Sequence, residues 1–524
     1  MISRTFEHTV PALLRRAYDN FANDAALIRG DGGEITFAEL REIAARTAGG
    51  LYALGLQPGD RVVVALRNSA EFMTVDHALF WGGLVRVAVS FRLHPQEIAL
   101  IAADASARVV VADAALAPAI RAGLAERGVD AVVVQSNDVG DQATVASLAA
   151  AEPVPAYLGS PEDLIWMPYT SGTTGQPKGV MHTHRSIMAC LRNLMAELPP
   201  VDGDDTLLQV APMSHLAGWV GLLYAIRGAR QLFASDFKAA DALAAIERHR
   251  VTITPVVPTI VNLMTDEMEQ GSYDVSSLKT ILYAGSPIAP EKLARAIRAF
   301  GDVFVQCYGL TELPMPISSL SMRDHRLGPG GTVPARLGSA GRVSPFVEVR
   351  IADQDGAEVP DGDAGEIWVR ADMVMRGYWK RPADSAEFAQ GDGWARTGDV
   401  GRLVDGYLHI VDRQRDMIVS GGFNVFPSEV ENVISVLPGI REVAVIGVPD
   451  PRWGETVMAV VVREPGCDLI AADIQHACRS AIAGYKLPRR IEFVDELPKT
   501  SSGKLLRREL RSAYWEDRAR MVDG

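Results

Sequence analysis

The segment "TSGTTGQPKG", residues 170–179, crowds glycines and hydroxyl side chains ahead of a lysine. Gly172 and Gly175 let the backbone turn its N–H groups toward an anion. Thr170, Ser171, Thr173 and Thr174 add hydroxyl donors, and Lys178 adds a positive charge. That set suits a polyphosphate. It is not the loop of P-loop NTPases, which needs Gly-Lys-Ser/Thr entering a helix; here Pro177 precedes Lys178 and Gly179 follows it. Glu312 closes "YGLTE" (308–312), just after the apolar run "VFVQC", where a carboxylate can hold Mg²⁺ together with substrate phosphates. Asp399 closes "RTGD" (396–399) and has the oxygens to accept both hydroxyls of a ribose. Lys504, in "PKTSSGKLLRREL", sits on a Gly-containing turn before a basic helix. Read singly, Glu312, Asp399 and Lys504 fit ordinary surface turns as well; the phosphate loop does so far less.

The elements that must position these residues read as α/β. "RVVVAL" (61–66), "VRVAVS" (85–90), "ARVVVAD" (107–113), "AVVVQS" (131–136) and "DLIWMPYT" (163–170) are strand-like, with helical spacing between them, as in "SAEFMTVDHALFWGG". Such alternation predicts parallel-rich sheets covered by helices, with ligands at the carboxyl ends of the strands. Between 330 and 412 the texture changes to short strands among Gly and Asp turns, a small β-rich subdomain. After it comes a compact α+β unit: a helix entered through Pro427 and Ser428, strands at 442–448 and 456–463, a helix at 471–483 and a strand at 490–494. The expected division is a large domain over 1–414 and a smaller domain over 415–524.

Composition narrows the class. A chain of 524 residues, 48% hydrophobic and 22% charged, can build several packed domains. A net charge of -13 argues against a nucleic-acid partner. Cys190, Cys307, Cys467 and Cys478 form no CxxC pair and no zinc spacing, which predicts reduced, mostly buried thiols. The N-terminus lacks the apolar core of a signal peptide. "ALFWGGLVRVAV", the most apolar stretch, is interrupted by Arg86 and too short to cross a bilayer. The expectation is a cytoplasmic monomer or homodimer without a transmembrane segment.

The ordered set "YTSGTTGQPKG", "YGLTE", "TGD", "DRQRD" with "GGFNV", and "PKTSSGK" resembles the family of acyl-adenylate-forming enzymes, which contains acyl-CoA synthetases, peptide-synthetase adenylation domains and firefly luciferase. The resemblance runs from the N-terminal helix to about residue 510. It implies that the loop holds the β- and γ-phosphates of ATP while a substrate carboxylate attacks the α-phosphorus, releasing pyrophosphate. It assigns Mg²⁺ to Glu312, the α-phosphate region to Thr311 and the adenine to Tyr308 with the turn Gly285, Ser286 and Pro287. Gln306, Cys307 and Gly309 flank the same site, and Asp399 with Arg413 takes the ribose. Lys504 reaches in from the C-terminal domain to bridge carboxylate and α-phosphate. That domain then rotates about Arg415, where Asp or Lys is more usual, and brings Gly421, Gly422 and Phe423 over the adenylate so that CoA can enter.

The same resemblance places the acyl pocket at "PMSHLAGWVGLL" (212–223), with His215, Gly218 and Trp219, and at Val257, Gly285, Gly309, Leu310 and Met315. His215 stands for the residue beside the adenylate carbonyl, or for a hydrogen-bonded core histidine. Trp219 resembles a tryptophan that gates an acyl tunnel, or forms the floor of a short pocket. No carboxylate stands where amino-acid-adenylating relatives hold an amine, which favours a non-amino acid: fatty, alicyclic or aromatic. Trp453 and Tyr485 match aromatic positions that contact CoA in aryl-CoA ligases, beside Arg452, Lys486 and Arg489. The expected activity is ATP-dependent carboxylic acid–CoA ligation, with transfer to an amine or a carrier-protein thiol as the alternative.

Overall fold

A computed structural model describes residues 9–136, 143–171, 177–353, 355–389, 392–420, 423–499 and 505–515. Gly172, Thr173, Thr174, Gly175, Gly421, Gly422 and Lys504 lie outside the described residues, as do the side chains of Ser171 and Arg415.

Two large sheets form the N-terminal part. In the nine-stranded sheet the strands Phe304–Tyr308, Thr280–Ala284, Ile253–Val256, Thr206–Gln209, Arg230–Phe233 and Ala25–Ile28 run parallel, with antiparallel strands at both edges. The second sheet has a parallel core of Leu164–Trp166, Val85–Ala88, Arg61–Ala65, Val109–Ala112 and Val132–Gln135. Runs of buried valine on these strands explain the architecture: both faces must be covered, and helices cover them. One cluster fills the space between the sheets, including Trp166, Met213, Trp219, Ala284 and Met315. Separate clusters coat the outer faces.

The β-rich subdomain is a four-stranded antiparallel sheet of Glu348–Ala352, Gly365–Arg370, Ala395–Val404 and Tyr407–Arg413. After a single turn over Gln414–Asp416, a five-stranded sheet begins with Ile418–Ser420 and is flanked by the helices Pro427–Ser435, Ala471–Ala481 and Arg507–Trp515. This is the α+β unit that the sequence predicts, with its two long strands extended to Ile440–Asp450 and Gly454–Arg463.

The expected strand "DLIWMPYT" is interrupted at residues 167–168: Leu164–Trp166 pairs parallel with Val85–Ala88, and both it and Tyr169–Ser171 pair antiparallel with Pro177–Thr183 in one register, Trp166 opposite His182 and Tyr169 opposite Gly179. Pro168 lies at the break, where it has no N–H to offer a ladder. The glycine-rich segment therefore joins two strands of a hairpin, with Thr170 opposite Lys178 and Ser171 opposite Pro177. Among the described residues no helix is long and apolar enough to cross a membrane. Cys190, Cys307 and Cys478 are buried, Cys467 is half-buried, and all are free thiols.

Candidate active site

The strands Thr280–Ala284 and Phe304–Tyr308 run side by side with Ala284 opposite Cys307. Their carboxyl ends thus deliver two turns to one place, Gly285–Pro287 and Gly309–Glu312. Gly285 has φ +94° and no atom within 4 Å of where a Cβ would stand, so its turn leaves open space. Gly309 is needed for the opposite reason: a Cβ there would lie 2.6 Å from the Met315 backbone nitrogen. The second turn is pinned by Leu310 N–H to the Leu313 carbonyl and by Met375 N–H to the Glu312 carbonyl, both 2.9 Å. His182 Nε2 stands 2.8 Å from the Thr311 carbonyl. Burial lowers the His182 pKa to about 4, so the ring is neutral and donates that bond.

Tyr308 connects this corner to the β-rich subdomain. Its O–H donates to Asp399 Oδ2 at 2.6 Å, and Arg413 Nε pairs with Asp399 Oδ1 at 3.0 Å. Asp399 and Arg413 face each other across neighbouring strands. Burial, then the Asp399 charge, pushes the Tyr308 pKa well above its ordinary value and keeps it a donor. Two carboxylate oxygens hold about four lone-pair positions, so Asp399 retains acceptor capacity after both bonds.

Glu312 Oε1 accepts from the Tyr378 O–H at 2.7 Å. Its other oxygen makes no side-chain hydrogen bond among the described residues. Those residues contain no group of three or more His, Cys, Asp or Glu able to hold a metal unaided. A single carboxylate completed by substrate phosphates is nevertheless an ordinary Mg²⁺ arrangement, so Glu312 fits the ion expected there. Lys178 projects from the hairpin onto the same patch; its Nζ is 3.1 Å from Asp384 and 5.2 Å from the centre of the Tyr378 ring. Neither Tyr378 nor Asp384 carries a motif of its own, and the sequence reading missed both.

The expected acyl residues divide. Gly218 and Trp219 lie on the helix Leu216–Ile226, whose N-cap is His215. His215 is not a core histidine. It opens onto solvent, with Nδ1 2.8 Å from Ser214 Oγ, and surrounding protein and then the Arg86 charge lower its pKa, leaving it neutral at pH 7. Trp219 stacks on Trp166 with ring centroids 3.4 Å apart, and Met315 joins them in the inter-sheet cluster. Val257 packs instead against the outer cluster, and Leu310 packs against the β-rich subdomain. The side chains of Gln306 and Cys307 are buried within their strand, so neither presents a free surface to a nucleotide.

The described part of the C-terminal unit carries an exposed aromatic pair. Phe423 and Tyr485, 55% and 39% exposed, stack with centroids 4.8 Å apart. Trp453 lies under two guanidinium groups, Arg452 at 4.8 Å and Arg489 at 5.0 Å. Lys486 is tied to Glu429 at 2.7 Å.

A family model described as AMP-binding enzyme matches residues 14–379, and one described as AMP-binding enzyme C-terminal domain matches residues 429–504. The chain belongs to the AMP-binding enzyme family. Its relatives there include a feruloyl-CoA synthase from an Amycolatopsis species, 38% identical over 94% of this chain and 96% of that protein. The long-chain-fatty-acid–CoA ligase FadD13 of Mycobacterium tuberculosis is 35% identical over 92% of this chain and 93% of its own. Among solved structures, the amide bond synthetase McbA of Marinactinospora thermotolerans superposes with a TM-score of 0.86 at 29% identity, covering 96% of this chain and 100% of McbA. For this member of the AMP-binding family, the corner formed by Tyr308, Glu312, Asp399 and Arg413 is the candidate nucleotide site.

Proposed function

We propose that this chain is an ATP-dependent carboxylic acid–CoA ligase acting on a non-amino fatty, alicyclic or aromatic acid. The observation that carries the reading is the convergence of Tyr308, Asp399, Arg413, Glu312 and Lys178 around the end of one parallel strand, in a chain whose relatives are named as acyl-CoA ligases.

In this reading the acid's carboxylate oxygen attacks the α-phosphorus of ATP, and the bond to the β-phosphate oxygen breaks, releasing pyrophosphate. The acid is already ionised at neutral pH, so no protein nucleophile is needed. Catalysis is positioning and charge neutralisation. Asp399 and Arg413 take the ribose, and the turn Gly285, Ser286 and Pro287 with Tyr308 frames the base. The glycine-rich segment and Lys178 take the leaving phosphates, with Thr311 beside the α-phosphate. Mg²⁺ bound at Glu312 would offset phosphate charge. Lys504 bridges the two anions that must meet. His215, neutral and open to the cleft, stands beside the acyl carbonyl. The CoA sulfur then attacks that carbonyl, the acyl–phosphate bond breaks and AMP leaves. Gly421, Gly422 and the surface of Phe423, Tyr485 and Trp453 guide the thiol after the unit beyond Arg415 has turned.

The likeness to McbA favours one second reading, in which an amine replaces CoA as the acceptor. One assay tests both. Pyrophosphate and AMP should appear only when a carboxylic acid is supplied, and CoA should be consumed with them. Release of ADP and phosphate would overturn the adenylation reading. Adenylation followed by turnover with amines but not with CoA would select the amide-forming alternative.

A further inference from the structure

Arg86 is wholly buried, in the strand Val85–Ala88 between the two large sheets. Its Nε donates to Asp76 at 2.6 Å and its Nη2 to the Met213 carbonyl at 2.8 Å. Its Nη1 is buried and has no hydrogen-bond partner among the described residues. Trp166 is in the same condition: 1% exposed, with its indole Nε1 buried and unpartnered. The two groups touch, since the guanidinium carbon lies 4.0 Å from the centre of the Trp166 ring. Orphan donors in a protein interior are destabilising unless something accepts from them. A buried Arg–Asp pair is not needed for stability either, because apolar residues of the same volume usually serve as well.

Their location supplies the purpose. A Cβ on Gly218 would lie 3.2 Å from Arg86 Nη2 and 3.2 Å from the Trp166 ring, so the absent side chain brings the helix carrying Trp219 down onto these groups. Trp219 is stacked directly on Trp166, and the Arg86 charge is felt at His215. The unsatisfied donors therefore adjoin the helix whose Gly218 and Trp219 are expected, by the family resemblance, to line the acyl pocket.

We propose that the acid activated by this chain carries a neutral hydrogen-bond-accepting oxygen away from its carboxylate, and that Arg86 and Trp166 are the residues that select for it. The proposal rests on the acid-activating reading above and names its substrate class. A neutral keto, ether or hydroxyl oxygen is favoured over a second carboxylate. Asp76 already balances the Arg86 charge, so a second carboxylate would stand buried with a net negative charge. To be reached, the donors require Trp219 to move off Trp166.

The test uses matched straight-chain acids, each with and without one keto oxygen, the keto position being walked along the chain, together with the corresponding diacids. The reading is kcat/KM for pyrophosphate release by the full chain. The best keto acid should exceed its unsubstituted parent by about tenfold or more, because the parent leaves the buried donors unpaired. Trp166→Phe, which keeps an aromatic ring and removes only the indole N–H, should shrink that ratio. The double variant Asp76→Leu/Arg86→Met, which replaces the ion pair with apolar volume, should bring it close to one while the parent acid is still turned over. Ratios near one at every keto position in the unmodified protein would overturn the proposal and leave the ligase reading standing, as would a preference for diacids. Pyrophosphate release with none of these acids, nor with any alicyclic or aromatic acid, would remove the ligase reading and this one with it.

Discussion

At the scale of single residues, the candidate site is held ready by side chains that its motifs do not contain. Lys178 is neutralised by Asp384, and that carboxylate competes with any phosphate for the ammonium. Asp384→Asn should therefore tighten ATP binding severalfold with a stability change within about 1 kcal/mol, the usual worth of a partly exposed pair. Calorimetric titration of ATP checks this; weaker binding would mean that Asp384 positions Lys178 rather than restraining it. Tyr308→Phe removes the donor to Asp399 and should cost about 1–3 kcal/mol by denaturant titration, since the bond is buried and made to a charge. On the C-terminal unit, Tyr485→Ala should raise KM for CoA while leaving pyrophosphate exchange unchanged. Equal losses in both would place Tyr485 outside thiol recognition.

At the scale of elements, close approach explains more than propensity does. A Cβ at Gly309 meets backbone, not a yielding side chain. Gly309→Ala should thus destabilise by about 1–3 kcal/mol and displace the turn that carries Thr311 and Glu312. Thermal unfolding together with KM for ATP reads both effects, and an unchanged protein would show that the turn gives way freely. The same scale shows what was legible in advance. The parallel strands between residues 61 and 135 were, because buried valine runs have few other uses; those of the nine-stranded sheet, such as Thr206–Gln209 and Arg230–Phe233, carry no such runs. The grouping of Glu312, Asp399 and Arg413 at one corner was, because their motifs stand in the order of the AMP-binding family. The hairpin around the glycine-rich segment was not: "LIWMPYTS" reads only as an apolar, β-prone run, and its pairing along residues 177–183 is what shows that the chain doubles back after Ser171. Nor was the Trp166–Trp219 stack, whose partners come from a strand and a helix far apart in sequence. Arg86 gave a signal that pointed two ways. A lone arginine in a valine run does break a membrane span; it also marks a buried charge that needs a reason.

At the scale of the whole molecule, four histidines among the described residues are buried in the large N-terminal part with lowered pKa values: His77 to about 3, and His182, His184 and His325 to about 4, in each case chiefly through burial. The unfolded chain protonates these rings near 6.5 and the folded one does not. Their contribution to stability is therefore complete above that pH and is lost as pH falls from 6.5 toward 4, by up to about 1.4 kcal/mol per ring per unit. Asp412, raised to about 6 mainly by burial, binds its proton in the folded state and offsets part of the loss. The unfolding midpoint should fall steadily over that window, with net proton uptake on unfolding measurable by calorimetry in buffers of different ionisation enthalpy; a flat midpoint would contradict the burial of these rings. The two large sheets also meet at an optical landmark. Trp166 belongs to one of them, and Trp219 to a helix lying against the other. Two indoles 3.4 Å apart share their electronic excitation, so the pair should give a strong signed couplet in ultraviolet circular dichroism. An acid that parts the rings would erase that couplet, and the protein would thus report in its own absorption bands when the seam between its halves has been entered.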